Sequence, residues 1–275
     1  MDGGNAIGLL GTTLAHVTRQ NRHTVHSVRK LRTDVPARSI LMYQITLVDI
    51  AVAFIPVLAT VIIIGYWSHS TKSALVAISR MLIQLLMIGY VLNFIFDANS
   101  QWIILLVLIF MLSAASWIGL SALPVDSGPL FIYSFAAISC GGGFILLFIS
   151  QGVLHVDPWY QPQVMIPIAG MIFSNSMNAV SLAGERFYSE LDHHQDFSKA
   201  RNIAFHASMI PLINALLAVG LVSLPGMMTG QILAGTSPLI AARYQIIVMC
   251  MIFSSAGISA ALFLSLLKYR ITDRQ

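Results

Sequence analysis

The side chains able to do chemistry are few, and most sit inside apolar runs. Arg80 and Gln84 lie four residues apart, and Asn175 and Asn178 three apart with Ser174 and Ser176 beside them. Asn93, Asn214, Gln231 and Gln245 complete the set. On a helix, spacings of three and four place two residues on one face. Amides and guanidinium groups are costly in hydrocarbon, so they turn toward a bundle interior or a water-filled path. The chemistry they offer is hydrogen bonding, either from helix to helix or to a crossing solute. Both readings stand, and Arg80, Gln84, Asn175, Asn178, Asn214, Gln231 and Gln245 are the candidate translocation path.

Other chemistries lack their motifs. No nucleophile–base pair stands out, so an enzyme is not expected. There is no G-x-x-x-x-G-K-[ST] loop to cradle ATP phosphates. Neither H-E-x-x-H nor a Cys/His metal spacing occurs, and no metal site is expected. His193 and His194 in "ELDHHQDF" would point about 100° apart on a helix, a poor start for one shared metal. Cys140 and Cys250 both fall inside apolar runs and read as small buried hydrophobes, not as a disulfide framework. Nothing points to a nucleic-acid partner.

The elements that must position these groups follow from composition. Of 275 residues, 57% are hydrophobic and 9% charged, whereas soluble domains carry roughly a quarter charged residues. The expected class is an integral, multi-pass membrane protein with lipid as its surroundings. Seven apolar runs approach or exceed the roughly 20 residues needed to cross a bilayer: Met42–Tyr66, Ala74–Phe96, Trp102–Leu120, Pro129–Ser150, Val164–Ala183, Ile203–Leu224 and Tyr244–Leu267. Pro167 and Pro211 fall inside the fifth and sixth, which packing in a membrane tolerates. The runs do not alternate in polarity, so a barrel is excluded. The expected fold is an all-α polytopic bundle of about seven transmembrane helices over residues 41–270. Gly141, Gly142 and Gly143 in the fourth run read as a close approach between helices, with a hinge as the other reading.

Charge placement sets the orientation. Lys72, Arg80, Arg186, Lys199, Arg201, Lys268, Arg270 and Arg274 fall in alternate connections and the C-terminal tail. The positive-inside rule places these in the cytoplasm. The C-terminus, with its short tail 271–275, is then cytoplasmic. The basic stretch 1–40 disagrees, because Arg19, Arg22, Arg29, Lys30, Arg32 and Arg38 should also stay inside. It reads as a targeting segment, as an extra weak helix around Ala6–Val17, or as residues upstream of a true start at Met42, the reading favoured here.

Three stretches carry a family resemblance: "AISRMLIQLLMIGYVLNFIF" (Ala77–Phe96), "QVMIPIAGMIFSNSMNAVSLAGERFYSEL" (Gln163–Leu191) and "IPLINALLAVGLVSLPGMMTGQILAGTSPLIAARYQIIVM" (Ile210–Met249). Together they resemble the FetB-type permeases of ABC transporters, the membrane subunit of an iron exporter. The plant aluminium-tolerance permeases belong to the same family. The resemblance covers about Tyr43–Arg270. It implies a permease that binds no cofactor itself and works with a separate ATP-hydrolysing subunit, as two permeases with two ATPases, in a bacterial inner membrane. It also implies coupling through the cytoplasmic loop after the fifth span, where Glu185, Arg186 and Glu190 are the candidate docking residues. That loop is shorter here than in the family, and its Gly-Ala turn is absent. The alternatives are a permease of the same fold for another solute, such as a sugar nucleotide, and a membrane scaffold that does not transport.

The stretch "GLVSLPGMMTGQILAG" (Gly220–Gly235) is flexible and greasy at once. Pro225 and Gly226 are expected to end the sixth helix, with Gly230 and Gly235 letting Met228–Leu233 fold back on the bundle. Irregular backbone at membrane depth must be covered by protein or line a cavity. Pro225, Gly226, Met227, Met228, Gly230 and Gly235 are therefore the candidate gate on the non-cytoplasmic side, with a plain connecting turn as the other reading. The Met227 and Met228 sulfurs would suit Cu(I) better than Fe(II) and are not taken as iron ligands.

Overall fold

The computed structural model describes residues 46–67, 71–96, 100–125, 127–193 and 196–272. The basic stretch 1–40, the weak helix at Ala6–Val17, the start at Met42 and residues 273–275 lie outside these. The described elements are helical: α1 Leu47–Trp67, α2 Thr71–Phe96, α3 Gln101–Leu120, α4 Ser127–Ile138, α5 Phe144–Leu147, α6 Pro162–Asp192, α7 Phe197–Ala218, α8 Gly226–Leu233 and α9 Pro238–Thr272. π-Helical turns at Ser139–Gly143 and Phe148–Val153 join α4 to α5 and continue α5, making one long span. Among the described residues six helices are long and apolar enough to cross a membrane. The seventh long helix, α7, is polar in its first half, with Lys199, Arg201, Asn202 and His206. The all-helical bundle of about seven spans is thus the fold observed.

Local chemistry sets the helix ends. Thr46 and Asp49 form a reciprocal cap at α1: Thr46 N–H and Oγ1 both donate to Asp49 Oδ2 at 2.8 Å, and Asp49 N–H donates to Thr46 Oγ1 at 3.3 Å. Asp196 caps α7 by accepting from Ser198 N–H at 3.2 Å. Pro162 and Pro238 occupy the first positions of α6 and α9, where the missing N–H costs nothing. Pro56, Pro167 and Pro211 lie inside α1, α6 and α7.

The chain divides into two compact units at Leu75/Val76. In the first, α1 exposes almost every residue and buries only Val61. A β-carbon on Gly65 would lie 2.6 Å from Thr71 Oγ1, so α1 and the start of α2 approach closely there. The second unit is built around α6, which packs against α3, α7 and α9. Its core runs from Ile104 and Leu120 of α3 through Ile172, Val180 and Phe187 of α6 to Met251, Phe263 and Leu267 of α9. Lipid is as apolar as leucine, so helices associate in it through close packing and interhelical hydrogen bonds. Small side chains accordingly sit at the contacts: Ala169, Ala179, Ala183, Ala256 and Ala260 are buried, and Ser134 Oγ donates from α4 to Ser116 O of α3 at 3.2 Å.

Two contacts fix the vertical order of this unit. Gly184 of α6 lies where its β-carbon would be 3.0 Å from Leu123, just past α3, and 3.1 Å from Phe263 of α9. At the opposite end, Gln163 Nε2 donates to Phe96 O at 3.4 Å, joining the start of α6 to the end of α2. The C-terminal ends of α3, α6 and α9 therefore meet on one side, as the alternating charge pattern requires.

Two sequence expectations are corrected. The sixth helix does not run to Leu224 to be stopped by Pro225 and Gly226. It ends at Ala218, whose carbonyl accepts from the N–H groups of Leu221, Val222 and Ser223 in a turn made possible by Gly220 at φ +81°. Pro225 and Gly226 instead open α8. Cys140 and Cys250 are exposed on the helix surface, not buried; a thiol is apolar enough to face lipid.

Candidate functional site

The centre of the second unit is organised by the glycine run. At Gly141 a β-carbon would lie 2.6 Å from Ser259 Oγ and 2.8 Å from Ser259 N, so the π-helical turn rests directly on the backbone of α9. At Gly142 it would lie 3.1 Å from Ile172, 3.4 Å from Phe173 and 3.5 Å from Ser176 Oγ, all on α6. Gly143 has nothing within 4 Å. A π-helical turn holds an extra residue, and such turns recur at functional sites. Here it wedges the fourth span between α6 and α9, with a fully buried serine on each side. The hydroxyls of Ser176 and Ser259 have no hydrogen-bond partner among the described residues. Ser116, Ser134, Ser150 and Ser255 are buried as well.

The candidate path residues do not gather into one constellation. Gln245 of α9 is buried and Gln231 of α8 half-buried, each with an unpartnered Oε1. Asn175 is half-buried and turns back on its own helix, donating from Nδ2 to Met171 O at 2.8 Å. Asn178, Arg80, Gln84 and Asn214 are exposed. The central serines were missed by sequence reasoning, apart from Ser176. The available signal was Ser255 and Ser259, four apart in a small-residue stretch of the last span.

The candidate gate is a built turn followed by a short helix. Thr229 N–H and Oγ1 both return to Pro225 O, at 3.0 and 3.2 Å, fixing the first turn of α8. At its other end Gly235, at φ +93°, donates to Ile232 O while Thr236 N–H reaches Gln231 O, a Schellman closure that reverses the chain into α9. Met227 is exposed and Met228 half-buried. The turn before α8 carries Leu221 and Val222 at 89% and 85% exposure, so its apolar tip projects away from the chain. Gly226 and Gly230 have nothing within 4 Å of a β-carbon.

The candidate coupling residues sit on the last turns of α6. Glu185 and Arg186 are exposed and Glu190 is buried; Arg186 Nη2 pairs with Glu190 Oε1 at 2.5 Å. Between them Phe187 is fully buried and meets Phe197, the first residue of α7, edge to face at 5.4 Å. Only His193–Asp196 separate α6 from α7. Among the described residues no group of three His, Cys, Asp or Glu side chains could hold a metal ion.

The family model UPF0014, described as an uncharacterised protein family, matches residues 46–201 and 194–271. The chain belongs to the UPF0014 family. Relatives include a UPF0014 membrane protein of Synechocystis, 36% identical over 69% of this chain and 79% of its own length. A protein of Escherichia coli named as a probable iron export permease, FetB, is 35% identical over 79% of this chain and 88% of its own. The Arabidopsis thaliana protein named ALUMINUM SENSITIVE 3 is 33% identical over 76% and 81%. No solved structure matches. The two UPF0014 segments overlap at 194–201, at the short connection between α6 and α7. A UPF0014 chain with this connection presents a tight helix pair on that side.

Proposed function

We propose that this chain is the membrane-spanning permease subunit of an ABC-type transporter, paired as a homodimer with two separate ATPase subunits and exporting iron. The observation that carries the reading is the extended similarity to the FetB permease, on a chain with no P-loop of its own. ATP is then used only by the partner, and this chain supplies the path and the lever. The lever is the α6–α7 pair. Phe187 against Phe197 joins the two helices at their bend, and the Arg186–Glu190 ion pair braces the last turns of α6 beside it, so force applied there passes along α6 into the centre of the bundle. Glu185 and Arg186 are exposed to meet the ATPase. In the centre, the π-helical turn between Ser176 and Ser259 is the place where α6 and α9 can shift against the fourth span. On the far side, Pro225–Gly235 is the gate.

A second reading has one specific observation in its favour. The family match breaks at the α6–α7 connection, and a helix seated in a groove of a partner needs several turns of contact. A chain with so short a connection would then be a scaffold that engages no ATPase. A same-fold permease for a sugar nucleotide is distinguished from both by its substrate.

The test is a pull-down of the tagged chain from native membranes, followed by ATPase assays with and without iron. A co-purifying nucleotide-binding subunit whose ATPase responds to iron is the expected result. A partner that responds to another solute overturns the iron assignment, and recovery of no ATPase under mild extraction overturns the transporter reading in favour of the scaffold.

A further inference from the structure

A cleft of about 240 Å³ opens between α7 and α9, away from the polar residues of the candidate path. Arg201, Asn202 and Phe205 line one side, Ala261 and Ser265 the other, and the fully buried Leu264 is its floor. Its polar groups gather at one end. Arg201 and Asn202 are in the second turn of α7, about 6 Å from the start of that helix at 1.5 Å per residue. Phe205 is one turn deeper. Ser265 adds no free donor, because its hydroxyl turns back to Ala261 O at 2.7 Å.

Arg201 is the unusual group. Its Nε and Nη2 both donate to Asn202 Oδ1, at 3.3 and 3.2 Å. A guanidinium has five N–H donors in a fixed fork, so most of its hydrogen-bonding capacity points elsewhere. Among the described residues no carboxylate lines the cleft, and the ion pair found among them is Arg186–Glu190, on the preceding helix. A cation at the rim of an apolar groove, at the end of a membrane helix, with no carboxylate partner among the described residues, is complementary to an anion that carries its own apolar part. Basic pockets between membrane helices take the head groups of anionic lipids in this way, and a planar guanidinium holds phosphate by paired hydrogen bonds.

We propose that this cleft is a binding site for the phosphate head group of an anionic phospholipid. The phosphate bridges Arg201 and the Asn202 amide, and an acyl chain lies over Phe205, Ala261 and Leu264. The volume holds a head group and not a whole lipid, so the tails remain in the bilayer along α7 and α9. The site needs only that the chain spans a membrane, and stands apart from what the chain transports.

The full-length chain in mild detergent is titrated with phosphatidylglycerol or with phosphatidylcholine, and native mass spectrometry counts the lipid retained. Several-fold preference for phosphatidylglycerol is expected. Arg201→Gln should remove the preference and Arg201→Lys should keep part of it. Asn202→Ala, an exposed position, should weaken it even if Arg201→Gln proves unstable. Arg243→Gln, at the other end of the bundle, should leave it intact. Equal retention of the two lipids by the unaltered chain overturns the site. So does a preference that survives in a folded Arg201→Gln protein. Loss of bound phosphatidylglycerol to millimolar inorganic phosphate would show a free-anion site instead of a lipid site. A second protein, and not lipid, released by Arg201→Gln would show a protein-docking groove.

Discussion

Two glycine-rich stretches of this chain look alike as sequence and behave differently as structure. In Ser139–Gly143 the glycines keep ordinary helical backbone, and their value is the missing side chain: Gly141 lets α9 approach to contact, and Gly142 does the same for α6. In Gly220–Gly235 nothing lies within 4 Å of a β-carbon built on Gly220, Gly226, Gly230 or Gly235. There the value lies in backbone freedom, and at two positions only, Gly220 and Gly235, both at positive φ. One stretch is limited by space and the other by conformation. A central wedge must be packed, whereas an exposed connection must turn.

This contrast can be broken by substitution. The largest loss of stability should come from Gly141→Ala. Its β-carbon meets the Ser259 backbone, which cannot move aside as a side chain would, so about 1–3 kcal/mol should be lost. Thermal unfolding in detergent measures it, with Gly143→Ala as a near-neutral partner two residues away. Equal effects at the two positions would end the idea of a directional wedge. Next comes Gly235→Ala, expected to cost about 1–2 kcal/mol because an L-residue is strained at positive φ. Here the strain is local, and adding Gly141→Ala should give an additive loss, the sites sharing no neighbour.

Glu190→Gln should be milder. It removes the charge that holds Arg186 at the bend, and because Arg186 is half-exposed the loss should be about 1 kcal/mol or less. Its sharper readout is ATPase coupling: a lever that depends on this bend loses coupling at nearly unchanged stability. The smallest change in stability, within about 0.5 kcal/mol, is expected for Gly226→Leu, since nothing lies within 4 Å of a β-carbon at that exposed position. If Pro225–Gly235 is a gate, this variant accumulates in membranes normally yet fails to transport. Normal transport would reduce the segment to a connecting turn.

Much of the fold was legible in the sequence, because the physics of a bilayer is legible there. An apolar run of about 20 residues must become a helix, since its backbone groups have no other partner in hydrocarbon. The spans and their alternation follow from this, and the run Gly141–Gly143 marked where helices come close without saying which glycine makes the contact. The coupling bend was legible in part: the brevity of the connection is visible, but the Phe187–Phe197 contact beneath it is not. The candidate path was the least legible. Asn178, Arg80, Gln84 and Asn214 were chosen because polar groups avoid lipid, yet they are exposed on this chain, while Ser176 and Ser259 lie at its centre. A serine can return its hydroxyl to its own helix, so hydropathy gives it little weight and cannot say which serines are buried.

By itself the sequence determined the class of the protein, the approximate number and the order of its spans, and its family, because each depends on composition or on local pattern. Tertiary structure decided where the sixth helix stops, which of three successive glycines bear on a neighbour, and how an arginine on α7 comes to face a groove shared with α9. Those outcomes depend on distances between residues far apart in the chain, and in lipid such distances are set by packing, which no single segment encodes.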